Sequence, residues 1–200
     1  MKLKSCILLF FLTSFLTAFS QSRLVYVNDF SDDWFISAAG GIQTFQGTPS
    51  SDESFSGTLS PAMSICLGKW LTPAYALRVG YNGNYFMDAK GEDVSFFTLH
   101  GEFLFNIQNL IKEGGDHFWN ASPYIGTGWA GSRGENKNDG WALHFGLYNT
   151  FRITTSLSAM AEFSGILADK EFDLMIDSSE GFDKLFALTI GLVYRLKFED

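Results

Sequence analysis

Four charged residues stand apart in this sequence, because each lies within a segment that is otherwise apolar or rich in small residues. They are Arg78, Glu102, Glu162 and Arg195. Charges withdrawn from water are tolerated when opposite charges pair with them. The sequence therefore predicts an ion-pair network between Arg78 and Glu102, with Arg195 and Glu162 as further members.

Two of the histidines offer a second kind of chemistry. His100 and Glu102 are two residues apart, a spacing that places both side chains on one face of a strand, and His144 lies in a later segment. A histidine, an acid and one of the several nearby serines are the residue types of nucleophilic catalysis. No nucleophile motif accompanies them, so a hydrogen-bonded structural network is the better interpretation. We predict no catalytic residue and no cofactor.

One segment is a candidate for metal binding. It is strongly acidic, with Asp169, Glu171, Asp173, Asp177, Glu180 and Asp183. Oxygen ligands at this density suit calcium, but the spacing does not match an EF-hand loop, so a solvated acidic loop is the better interpretation. The histidines have no zinc-ligand spacing and no cysteine beside them. We therefore predict no metal site.

Length and charge place these residues in one small acidic domain. The chain has 200 residues, a formal net charge of -8 and only 18% charged residues, while aromatic residues reach 16%. A chain of about 100 to 200 residues normally forms one domain. Nucleic-acid-binding proteins carry a basic patch, so the acidic balance excludes nucleic acid as a partner.

The first twenty residues have the pattern of a secretory signal peptide. Lys2 and Lys4 precede a short apolar run, and Ala18-Phe19-Ser20 is a small-x-small cleavage site. The run is too short for a transmembrane helix, which needs about 20 apolar residues. We predict a signal peptide at 1–20, a periplasmic segment at 21–32 and one domain at 33–198.

Eight segments of that domain alternate between two kinds of side chain, with turn-forming residues between them. In the third, Leu77, Val79 and Tyr81 alternate with Ala76 and Gly80. This period of two is typical of strands with two different faces. The predicted strands run over 33–46, 59–70, 74–86, 94–107, 118–130, 140–151, 155–167 and 184–197.

The composition of the two faces predicts which one points outward. One face is large and apolar, while the other is mostly Gly, Ala, Ser, Thr and Asn. A water-soluble barrel would need a highly charged outer face, whereas small polar residues fill the narrow interior of an eight-stranded membrane barrel. The sequence predicts an all-β, eight-stranded antiparallel up-and-down transmembrane β-barrel. A soluble, secreted, lipocalin-like lipid-binding barrel is the alternative.

The tryptophans and the connections agree with a membrane barrel. Trp34, Trp70, Trp119, Trp129 and Trp141 all lie near strand ends, where membrane barrels carry aromatic girdles. Connections after odd strands are long and those after even strands are short, except for 108–117. This alternation predicts that both termini lie in the periplasm and that the long loops lie on the cell surface.

Two short motifs carry a resemblance to a known group. The run Gly68-Lys69-Trp70-Leu71-Thr72-Pro73 with Arg78-Val79-Gly80-Tyr81, and the closing Gly191-Leu192-Val193-Tyr194-Arg195-Leu196, resemble segments of small eight-stranded outer-membrane barrels of the Bacteroidetes. That group is similar to the N-terminal barrel of OmpA-like proteins. The sequence ends after the predicted eighth strand, so we do not expect the peptidoglycan-binding domain of OmpA-like proteins.

The resemblance and the narrow interior lead to one expected function and two alternatives. We expect an outer-membrane protein with a structural or cell-surface interaction role, with its lumen plugged and not a general porin. The implied partners are outer-membrane lipid and lipopolysaccharide, the barrel-assembly machinery and an unidentified surface ligand. One alternative is a lipid A-modifying outer-membrane enzyme that uses His100 and Glu102, and the other is the soluble lipid-binding barrel.

Overall fold

A computed structural model of the chain describes residues 33–46, 59–87, 93–111, 117–133, 139–168 and 183–196. The predicted signal peptide, the 21–32 segment and most of the acidic loop lie outside these ranges. The described part consists of β1 (Trp34–Gln46), β2 (Leu59–Trp70), β3 (Tyr75–Met87), β4 (Asp93–Phe105), the short helix α1 (Ile107–Ile111), β5 (Trp119–Arg133), β6 (Asp139–Arg152), β7 (Leu157–Ala168) and β8 (Asp183–Arg195).

The eight strands close into a barrel. Each strand pairs antiparallel with the next along the chain, and β1 also pairs with β8. The predicted eight-stranded antiparallel up-and-down barrel is therefore confirmed. We call the end where β1 begins and β8 ends the terminal end, and the opposite end the loop end.

The two faces point as the sequence predicted, with apolar side chains outward. Ile190 is 70% exposed and Leu99 58%, whereas Thr189, next to Ile190, is 6% exposed. A soluble barrel would turn its apolar side chains inward, so the lipocalin-like alternative is contradicted. No helix in the described part of the chain is both long and apolar enough to cross a membrane.

The lumen holds more large side chains than the sequence suggested. Near the terminal end lies an inward-facing cluster that we call the apolar cluster, built from Phe35, Ala76, Leu104, Tyr124, Tyr148, Met160 and Val193. Trp70 packs against this cluster, with its ring centroid 6.2 Å from that of Phe35. The placement of Trp70 in an outer aromatic girdle is therefore wrong. Trp129 and Trp141 do lie on the outer face and meet edge to face at 5.9 Å.

Side-chain hydrogen bonds to the backbone stabilise the turns at the terminal end. The hydroxyl of Thr72 accepts hydrogen bonds from the backbone N–H groups of Ala74 and Tyr75 in the β2–β3 turn. Thr154 does the same for Ser156 and Leu157, which is why β7 begins at Leu157 and not at the predicted residue 155.

The longer β4–β5 connection contains the helix α1. The side chain of Asn106 accepts a hydrogen bond from the N–H of Asn109, as an N-cap does. The side chain of Gln108 in turn accepts one from the N–H of Ala121 on β5. These contacts explain why this connection departs from the short turns at the same end.

Candidate functional site

A cluster of three charged side chains crosses the lumen. The β3–β4 register places Arg78 directly opposite Glu102. The guanidinium Nε donates to Oε2 of Glu102 at 2.6 Å, while Nη1 and Nη2 donate to the two carboxylate oxygens of Glu162 at 3.1 and 2.7 Å. Glu162 lies on β7, so the contact joins distant parts of the barrel wall. We call Arg78, Glu102 and Glu162 the lumen triad.

Two tyrosines complete the surroundings of the guanidinium. Its carbon lies 4.8 Å from the ring centroid of Tyr124 and 4.9 Å from that of Tyr148. Aromatic rings attract a desolvated cation through their negatively charged faces. The side chain of Arg78 is only 1% exposed, so these rings replace water around it.

The lumen triad is not balanced in charge. Arg78 is the cation that contacts both carboxylates, so two negative charges share one positive charge. The carboxylate of Glu102 bonds to Arg78 through Oε2, and its Oε1 faces the histidines. This leaves one carboxyl oxygen of Glu102 beside two imidazole rings.

The two histidines lie together next to that oxygen. Nε2 of His100 is 3.4 Å from Oε1 of Glu102, and Nδ1 of His144 is 3.9 Å from the same oxygen. The rings stack with their centroids 4.3 Å apart and an interplanar angle of 22°. Nδ1 of His100 is 3.3 Å from the hydroxyl of Thr98, which is fully buried. The structure therefore brings together the two histidines and the acid that the sequence offered for catalysis.

Two glycines of β5 allow this convergence. Gly128 pairs with His100, and Gly126 pairs with both Glu102 and His144. A Cβ on Gly126 would lie 2.6 Å from Cγ of Glu102, and one on Gly128 would lie 2.6 Å from Cβ of His100. Side chains from β4 and β6 can meet across β5 because these positions carry no side chain of their own.

The structure does not bring Arg195 into the lumen triad. Arg195 is the last residue of β8, at the terminal end, and its side chain is 47% exposed. Its Nε lies 4.0 Å from the carboxylate of Asp33. Strand position explains the difference, because a residue at the mouth of the barrel remains in contact with water.

Two cavities lie on opposite sides of the lumen triad and the apolar cluster. The one at the terminal end has a volume of about 320 Å³ and reaches inward to Phe35, Tyr148 and Val193. The one towards the loop end has a volume of about 20 Å³ and is lined by residues that include Arg78, His100 and Glu102. The two cavities share no lining residue.

Comparison with known proteins gives one relative of low sequence identity and a match to the fold of a solved structure. The sequence matches no protein-family model. It is 24% identical over 109 residues to outer membrane protein 41 of Porphyromonas gingivalis, a match that covers 51% of this chain and 28% of that protein. The crystal structure of Neisserial surface protein A (NspA) superposes with a TM-score of 0.55 at 10% identity, covering 82% of this chain and 97% of NspA.

The chain has the fold of a small outer-membrane β-barrel. The resemblance to outer-membrane barrel proteins of the Bacteroidetes, made from two short motifs, is confirmed by the match to outer membrane protein 41. The chain spans well under half of that relative's length.

Several contributors to the lumen of this outer-membrane β-barrel were not found from the sequence. Tyr124, Tyr148 and Thr98 carry no motif, and tyrosines in strands usually indicate packing. Gly126 and Gly128 did offer a signal, since two inward-facing glycines on one strand leave room for the side chains of its neighbours.

Proposed function

We propose that this chain is a structural or cell-surface interaction protein of the bacterial outer membrane, with a plugged lumen and no catalytic activity. The single observation that carries the proposal is the lumen triad, which joins β3, β4 and β7 across the interior. The predicted signal peptide and the outward apolar face both support export to a membrane.

The outer face of the barrel indicates which molecules would surround it. Exposed apolar side chains such as Ile190 and Leu99 would contact outer-membrane lipid, and lipopolysaccharide would surround the loop end. Insertion of such a barrel depends on the barrel-assembly machinery. The long loops at the loop end would carry any interaction with a surface ligand.

The enzyme alternative is less well supported by the geometry. Thr98, His100 and Glu102 form a line of contacts, but they are 0%, 3% and 5% exposed. A lipid headgroup would have to enter the lumen to reach them. Oε2 of Glu102 is also held by Arg78, so the arrangement serves to fix charges rather than to transfer a group.

Planar-bilayer recordings test the plug. We expect rare, small openings, because the lumen triad and the apolar cluster separate the two cavities. Tyr148→Ala, which removes a buried ring beside Arg78, should raise the frequency of openings, while Trp141→Ala on the outer face should not. Large, steady and weakly selective channels from the unmodified protein would instead indicate a porin.

Protease treatment of intact cells tests the orientation. We expect cleavage between Ala168 and Asp183, in the long acidic connection at the loop end, and none between Gln108 and His117 at the terminal end. Permeabilised cells serve as the control, since the protease can then reach both ends. Cleavage of intact cells only at 108–117 would mean that the barrel is inserted the other way round.

A further inference from the structure

The lumen contains a group of side chains whose donor atoms suit a metal ion. We propose that His100, Glu102 and His144 bind a divalent transition-metal ion of the zinc class. Their donor atoms all lie within 4.8 Å of one another, and all three residues are buried. The proposal concerns binding inside the barrel and does not depend on the surface role proposed above.

The donor set determines the kind of ion. Two imidazole nitrogens and one carboxylate oxygen suit zinc, cobalt or nickel, whereas calcium and magnesium prefer oxygen ligands alone. The carboxylate of Glu102 can coordinate a metal ion through Oε1, because Arg78 bonds to Oε2 and Oε1 faces both rings. Arg78 thus orients this carboxylate without using its second oxygen.

A second contact orients His100 for this role. Histidines that bind metals usually use their other ring nitrogen in a hydrogen bond, which fixes both ring orientation and tautomer. Nδ1 of His100 lies 3.3 Å from the hydroxyl of Thr98, so Nε2 is the nitrogen directed at Glu102. Thr98 is therefore a positioning residue.

Charge and hydrogen bonding both favour a bound cation. The lumen triad has two carboxyl groups and one guanidinium, so a bound cation would balance the second carboxyl group. Nε2 of His144 is buried with no hydrogen-bond partner, so a satisfied polar network does not fully account for this histidine.

Binding requires only a local contraction. Ligand atoms around a tetrahedral zinc ion lie about 3.3 Å apart, so the most distant donors would move together by about 1.5 Å. The stacked rings must turn to direct their nitrogens at one point. Three protein ligands leave a fourth position for a water molecule, and a cavity of about 20 Å³, large enough for one water molecule, lies beside His100 and Glu102.

The test uses the folded barrel in detergent, without a polyhistidine tag and after treatment with a chelator. Calorimetric titration with zinc chloride should give one site per chain, and cobalt chloride should give the visible absorption bands of a tetrahedral cobalt site. His100→Gln and His144→Gln should each weaken binding by more than about 100-fold, and Thr98→Val by about 10- to 100-fold.

The third histidine supplies the matched control. His117 lies outside the group, at the terminal end, so His117→Gln should bind zinc as the unmodified protein does. Heat-dependent mobility in detergent gels establishes that each variant is folded before titration. The proposal is overturned if the folded, unmodified barrel binds neither metal at millimolar concentration. It is equally overturned if His100→Gln and His144→Gln, both folded, retain full affinity.

Discussion

Arg78→Gln is expected to lower the free energy of unfolding in detergent by about 3 to 5 kcal/mol, the typical cost of removing one partner from a buried ion pair. The side chain of Arg78 is 1% exposed and bonds to both Glu102 and Glu162. Without it, two carboxylates remain in an enclosed lumen with no cation between them. Denaturant titration of the folded barrel, followed by tryptophan fluorescence, measures the loss.

The carboxylates provide the matched variants. Glu102→Gln alone should cost less than Arg78→Gln, because Glu162 still holds the guanidinium through two hydrogen bonds. Combining Arg78→Gln with glutamine at both glutamates removes every charge of the lumen triad and should recover part of the stability. If Arg78→Gln is as stable as the unmodified protein, the contacts seen in the lumen contribute nothing to folding and the proposed plug loses its basis.

Glu102→Gln also separates the structural role from the enzyme alternative. Mass spectrometry of lipid A extracted from cells with the unmodified protein and from cells with the variant should give the same spectra. A modification that is present with the unmodified protein and absent with a stable Glu102→Gln variant would establish catalysis instead.

The sequence predicted the barrel well because its signals are local. An alternation of large apolar and small side chains decides both the strand and the direction of each face, as Ile190 and Thr189 illustrate. Pairing of Arg78 with a residue on the next strand follows from the same pattern, since the β3–β4 hairpin fixes which residues are opposite. No knowledge of distant parts of the chain is needed for either inference.

The site was harder to predict because it depends on contacts across the closed barrel. Alternation along the strand was enough to predict Glu162 as a member of the Arg78 network, but not that it reaches Arg78 from a strand that is not its neighbour. His144 likewise meets His100 over the glycines of β5. Spacing in the sequence carries no trace of such contacts, which is why His100 and His144 show no zinc-ligand spacing although their rings are stacked. Arg195 was misplaced for a related reason: alternation gives the face of a residue but not its depth in the lumen.

The second large effect that we expect concerns an outward-facing residue at the depth of the bilayer midplane. Ile190→Arg should lower the free energy of unfolding in lipid bilayers by about 2 to 4 kcal/mol, the cost of an arginine at the midplane of a membrane barrel. Ile190 is 70% exposed and lies in the middle of β8, opposite Gly40 and Ala161. Its side chain would therefore stand in hydrocarbon. Urea unfolding in phospholipid vesicles measures the change.

Tyr194, on the same face of β8, shows whether the cost of an arginine depends on its depth in the membrane. Tyr194 points outward as Ile190 does, but it lies near the terminal end of β8, where the barrel meets the headgroups. Tyr194→Arg should therefore cost only about 0 to 1 kcal/mol, because a long charged side chain at that depth reaches water. Ile190→Ala controls for the loss of the apolar side chain itself. If Ile190→Arg and Tyr194→Arg are tolerated equally, the outer face is not in contact with hydrocarbon, and the membrane placement of the whole barrel fails with it.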